Sequence, residues 1–131
     1  PGCCMTFNLD KIAGLRFDES RSGYAMGEDV DFSLKAKSRG PLYHLPSATL
    51  LHNLSQVNRH DSQTLIAMEI RNRWNLATDH PKYVQKFWVA FSIVLSSGYF
   101  LFIGIRNFHG DYIKRAAVSL NTLWRCVIGN F

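Results

Sequence analysis

Gly27-Glu28-Asp29-Val30-Asp31-Phe32-Ser33-Leu34-Lys35-Ala36-Lys37-Ser38-Arg39-Gly40 carries helix signals at both ends. Glu28, Asp29 and Asp31 fall in the first turn, where the positive end of the macrodipole favours carboxylates. Lys35, Lys37 and Arg39 fall in the last turns, where cations are favoured. Gly40 is expected to take the left-handed stop conformation, and Pro41 cannot continue the helix. Val30 and Leu34 share one face, Phe32 and Ala36 another. Asp31 and Lys35 are spaced for an i,i+4 ion pair.

Two adjacent acids at a helix mouth point about 100° apart. One of Glu28 and Asp29 can therefore face a cleft while the other braces a loop. A carboxylate in a cleft serves as a general base when it reaches the proton it must take. The alternative is that all three acids only favour the helix start. Asp29-Val30-Asp31 has the form of a metal-binding Asp-x-Asp. On a helix, however, i and i+2 lie about 200° apart and cannot grip one ion together.

The chain has 131 residues, enough for one ordinary domain, and at 47% hydrophobic it is rich enough to build a core. The net charge of +5 suits an anionic partner, either a phosphate-bearing substrate or an acidic membrane surface. No arginine-rich tract or nucleic-acid signature is present, so nucleic acid is not among the expected partners. Cys3, Cys4 and Cys126 include no CxxC pair, and their odd count argues against a disulfide framework and for a reducing compartment. The chain opens at Pro1 in strand-like sequence and is expected to be the C-terminal part of a longer protein.

Outward from the helix, Gly2–Phe7 reads as a buried strand and Asn8–Gly14 as a turn or short helix ending at Gly14. Leu42–His44 and Ala48–His52 read as short strands divided by Pro46. Asn53–His60 reads as a polar loop. A long helix is predicted from about Asp61 to Asp79, capped by Asp61 or Ser62, with Ile66, Ile70, Trp74 and Ala77 as its apolar stripe. His80-Pro81 ends it.

Phe87–Ile105 carries no formal charge and has about the minimum length for a membrane span. A buried core helix is the alternative. The segment after Arg106 is amphipathic, with Ile113, Ala116, Ala117, Leu120, Leu123, Trp124 and Val127 on one broad face. Such a helix suits a membrane surface. Lys and Arg are balanced on the two flanks of Phe87–Ile105, so charge does not orient it. It either spans the membrane or lies in its plane.

Taken together, residues 1 to about 80 resemble the C-terminal half of a family 2 glycosyltransferase with the GT-A fold. The marks are Gly2-Cys3, Phe17-Asp18-Glu19, the Gly27–Leu34 helix start, Gly40, the Tyr43…Pro46…Ala48 segment and His52. The resemblance implies an α/β fold class. Residues 1–80 would be the acceptor side of the transferase domain, and 81–131 a membrane-associating helical segment. The family transfers a sugar from a nucleotide-sugar donor to a hydroxyl acceptor with inversion, and here a glycan or lipid-linked acceptor is expected.

On this resemblance Asp29 matches the base that takes the acceptor proton, and Glu28 would orient the acceptor or the base. Gly2 and Cys3 would belong to the substrate site. Arg71 and Arg73 would contact diphosphate, or else be ordinary exposed helix cations. His52 matches a histidine that helps hold a divalent metal, Mg or Mn, in some members. Its alternative is a strand-end imidazole bonded to a carbonyl. The main metal ligands and the donor site belong to the family's N-terminal half, so these residues alone are expected to be inactive. Arg71-Asn72-Arg73-Trp74 resembles part of the Gln-x-x-Arg-Trp motif of processive members, but Ile70 stands at the glutamine position, so processivity is not implied. Cytosolic donors would place the protein on the cytoplasmic face of a membrane. The competing function is a non-catalytic, membrane-anchored binding module whose acids only cap a helix.

Overall fold

The structure, a computed structural model, describes residues 4–19, 27–51 and 61–130. Four helices form among them: α1 (Glu28–Lys37), α2 (Ser62–Asp79), α3 (Lys86–Arg106) and α4 (Gly110–Ile128). The chain divides into two compact units, Pro1–Asn58 and Arg59–Phe131.

The first unit is built on α1. Gly27 precedes the helix with φ 87°, a left-handed conformation that costs glycine little. Asp31 N–H donates to the Gly27 carbonyl at 3.0 Å and closes the first turn. The buried face of α1 holds Asp31, Phe32 and Ala36, while Val30 is exposed. Phe32 stacks on Phe17 with centroids 4.2 Å apart and meets Phe7 edge-on at 5.0 Å. These rings join α1 to the irregular segment before it. Within that segment, Asn8 Oδ1 accepts from the Asp10 and Lys11 amides, and Gly14 sits at φ 81°. The expected turn ending at Gly14 is therefore present.

The α/β, GT-A-type architecture expected from the sequence is overturned. The regular structure among the described residues is entirely helical, with no strand. A strand exists only through hydrogen bonds to a neighbouring strand, and an apolar run without that neighbour remains irregular chain. The described part of Gly2–Phe7 has no regular structure. Residues 42–51 are exposed throughout and are bent by a turn at Pro46, where Ala48 N–H donates to the Leu45 carbonyl at 3.1 Å. Gly40 does not take a left-handed conformation. Instead α1 ends at Ser38, whose hydroxyl donates to the Lys35 carbonyl at 2.7 Å.

The second unit packs α2, α3 and α4 together. Asp61 caps α2, accepting from the Gln63 and Thr64 amides at 2.9 and 3.0 Å. At the other end His80 N–H donates to the Leu76 carbonyl at 2.9 Å, ahead of Pro81. The core joins Ile70 and Ala77 of α2, Val89 and Ile93 of α3, and Leu123 and Cys126 of α4. Ile66 and Trp74 pack against it, so the predicted stripe of α2 faces the core. α2 thus groups with the C-terminal helices.

A short turn joins α3 to α4. Phe108 stands there with φ 53° and is 96% exposed, and His109 N–H donates to the Gly104 carbonyl at 2.8 Å. Gly104 lets the helices approach closely. A Cβ built on it would lie 2.7 Å from Ile113 Cγ1 and 3.1 Å from the Ile113 amide nitrogen. The broad face expected on α4 is split. Ala116, Ser119, Thr122, Leu123 and Cys126 are buried, whereas Leu120, Trp124 and Val127 remain exposed. Small side chains permit closer helix contact than the large apolar ones, which are left on the adjoining sector.

Candidate functional site

α1 sorts its three acids. Asp31 is 1% exposed, and its Oδ2 lies 2.6 Å from Lys35 Nζ. Lys35 also reaches the Arg16 carbonyl at 3.5 Å. Asp31 is thereby committed to packing. Glu28 is exposed and Asp29 half-buried. Among the described residues neither has an ion-pair partner. The helix keeps Asp29 and Asp31 on different sides, one partly open and one enclosed, and this matches the reason an Asp-x-Asp on a helix cannot chelate.

Arg71 and Arg73 lie on α2, in the other unit. Arg73 is half exposed and pairs with Glu69 at 3.7 Å. Arg71 is exposed; burial pushes the Cys126 thiol above its usual range, and the Arg71 charge partly opposes that shift. Gly2, Cys3 and His52 lie outside the described residues. Among the described residues no three His, Cys, Asp or Glu side chains gather as a metal ion would need.

Two features were passed over in the sequence. One is an open cleft where α2 turns into α3, lined by Arg73, Lys82, Tyr83, Gln85, Trp88 and Ser92. Its sequence signal was the mixture of cations and aromatics at the head of an apolar helix. The other is Phe108. A bulky residue with positive φ cannot be read from sequence, because turns of this kind usually hold glycine or asparagine.

α3 is long and apolar enough to cross a membrane, and only 22% of its apolar window is buried by the rest of the chain. Phe87, Trp88, Leu95, Phe102 and Ile105 are each at least 60% exposed. Comparison with protein-family models, curated proteins and solved structures finds no match to this chain.

Proposed function

We propose that the chain is part of an inverting glycosyltransferase acting at the cytoplasmic face of a membrane. Asp29 takes the proton of the acceptor hydroxyl, and Glu28 orients the acceptor. The observation that carries this reading is the sorting of acids on α1. Phe32, packed against Phe7 and Phe17, sets the rotation of the helix with Asp31 buried beside it, and leaves Glu28 exposed and Asp29 half-buried at its mouth. A hydroxyl is a poor nucleophile until a base takes its proton, and a half-buried carboxylate at a helix start suits that task. The resemblance of Gly27–Leu34 to the family's acid motif supplies the reaction class and does not depend on the architecture of the remaining chain.

In this reading the donor is a nucleotide-sugar and the acceptor a glycan or lipid-linked hydroxyl. A divalent ion would stabilise the departing diphosphate. The described residues offer no ligand set for one, and the roles of Glu28 and Asp29 are independent of it.

The test compares two acids two positions apart in the protein as it occurs in its native cell, supplied with a panel of nucleotide-sugars. Asp29→Asn should lower kcat by at least ~10²-fold, the low end for loss of a general base, without changing the melting temperature. Asp31→Asn should lower the melting temperature, because it weakens a buried pair. Near-normal turnover of Asp29→Asn would leave the second reading, a membrane-anchored binding module. The placement of all three acids in the favoured first turn of α1 is the observation on that module's side.

A further inference from the structure

We propose that the unit Arg59–Phe131 is an in-plane membrane anchor. α3 and α4 lie along one leaflet of an anionic bilayer, and α3 does not cross. The inference rests on the membrane location proposed above and specifies how that location is reached.

The first observation is what α3 carries with it. Val89 and Ile93, in its first two turns, are core residues packed with α2 and α4. α2 bears Glu69, Arg71 and Arg73. Crossing would draw these charges into hydrocarbon or break the core. Beyond Ile93, the stretch to Ile105 carries no residue of that shared core. At about 1.5 Å per residue it covers roughly 18 Å of an apolar layer about 30 Å thick.

The second observation is the hairpin. The Gly104–Ile113 approach and the short turn at Phe108 hold α4 beside α3. If α3 crossed, Asp111, Lys114, Arg115 and Arg125 of α4 would accompany it. Such charges are rare inside membranes because they are costly there.

The third observation is how α4 is divided. At 100° per residue, Ile113, Ala117, Leu120, Trp124 and Val127 form one stripe, and all five are exposed. Asn121, Lys114 and Arg125 occupy the next sector, and the buried small residues lie on the other side of the stripe. An apolar stripe bordered by cations is the pattern of a helix lying in an interface. On α3, Leu95, Phe102 and Ile105 offer apolar surface as well, and Phe108 adds a fully exposed ring at the turn.

Charge complementarity selects the lipid. Residues 59–131 hold nine Lys and Arg against four Asp and Glu, while residues 1–58 hold six of each. The whole net charge of +5 therefore belongs to the helical unit. Anionic headgroups attract such a unit within a Debye length.

The experiment uses the full chain bound to sealed vesicles of phosphatidylcholine and phosphatidylglycerol, with Cys3, Cys4 and Cys126 replaced and Asp111→Cys introduced at the start of α4, on the side away from its apolar stripe. A membrane-impermeant maleimide added outside should label this cysteine as completely as it does after detergent lysis. Protection until lysis would mean that α3 crosses, and would overturn the proposal while leaving the membrane location standing. Failure to bind these vesicles at all would remove both. A second variant leaves the core untouched. Phe108→Gly should weaken vesicle binding about tenfold, as expected for one aromatic side chain removed from lipid, and should raise the melting temperature by relieving the left-handed backbone. Unchanged binding of Phe108→Gly would contradict the placement of the turn in the leaflet.

Discussion

Gly104→Ala should destabilise the helical unit, while Gly98→Ala, on the same helix, should stabilise it. Both replacements improve helix propensity by about 0.8–1.0 kcal/mol. At Gly98 a Cβ meets nothing within 4 Å, so that gain is kept. At Gly104 it would lie 2.7 Å from Ile113 Cγ1, 3.1 Å from the Ile113 nitrogen and 3.2 Å from the His109 oxygen. The side-chain carbon can swing away, but the two backbone atoms move only if the hairpin opens. Overpacking of this kind costs about 1–3 kcal/mol. The net effect of Gly104→Ala is then a loss of ~0–2 kcal/mol. The difference between the two variants cancels propensity and isolates the helix approach, at about 1–3 kcal/mol. Denaturant unfolding of the full chain, followed by far-ultraviolet circular dichroism, measures both. Adding Ile113→Ala to Gly104→Ala should rescue only part of the loss, because the backbone contacts remain. Equal stabilisation by the two alanines would refute the close approach of α3 and α4.

Other outcomes follow from single groups. Ser97 is 2% exposed, and its hydroxyl has no partner among the described residues, so Ser97→Ala should gain about 1 kcal/mol in the same unfolding experiment. The Asp61 carboxyl is held below its ordinary value chiefly by the Thr64 hydroxyl, with the Thr64 and Gln63 amides adding to the effect. Because its folded pKa is depressed, the cap's contribution is complete above the unfolded value of 3.8 and is lost as pH falls through the folded one. Asp61→Asn should keep much of the cap and reduce that acid-side loss in a pH-dependent melt. Cys126 has a raised pKa, so its contribution is complete below the unfolded value of 9.0 and fades as pH rises through the folded one. Its thiol should react with a thiol reagent far more slowly than the exposed Cys4 until the unit unfolds.

The helices were legible because each carried redundant signals. α2 had a capping aspartate, a stripe at helical spacing and a proline stop, and all three operate where the sequence places them. α1 had its charges ordered along the dipole. The strands were misread because Leu42–His44 and the described part of Ala48–His52 have strand composition but, among the described residues, no strand beside them. Composition records a preference, whereas a sheet requires a partner that may lie anywhere in the chain. Gly27 and Gly40 flank α1 symmetrically, and sequence could not tell that the first would need positive φ while Ser38 closed the other end. The face of α4 was read as one because hydrophobicity does not separate residues that pack against protein from residues left outside. Of the site, the acid pair and the likeness of Asp31–Lys35 to an ion pair were visible. The enclosure of Asp31 was not, since nothing in the run shows that Phe7 and Phe17 close over Phe32 beside it.

That aromatic clasp has a topological consequence. Phe7 and Phe17 grip the same ring, so the chain between them is a closed loop whose ends are fixed and whose Asn8–Lys11 stretch is exposed. Closure entropy rises only logarithmically, by about 0.6 kcal/mol for each doubling of loop length. The Asn8–Gly14 turn is therefore the place where the first unit can accept added residues, a tag or a small inserted domain, without disturbing the rotation of α1.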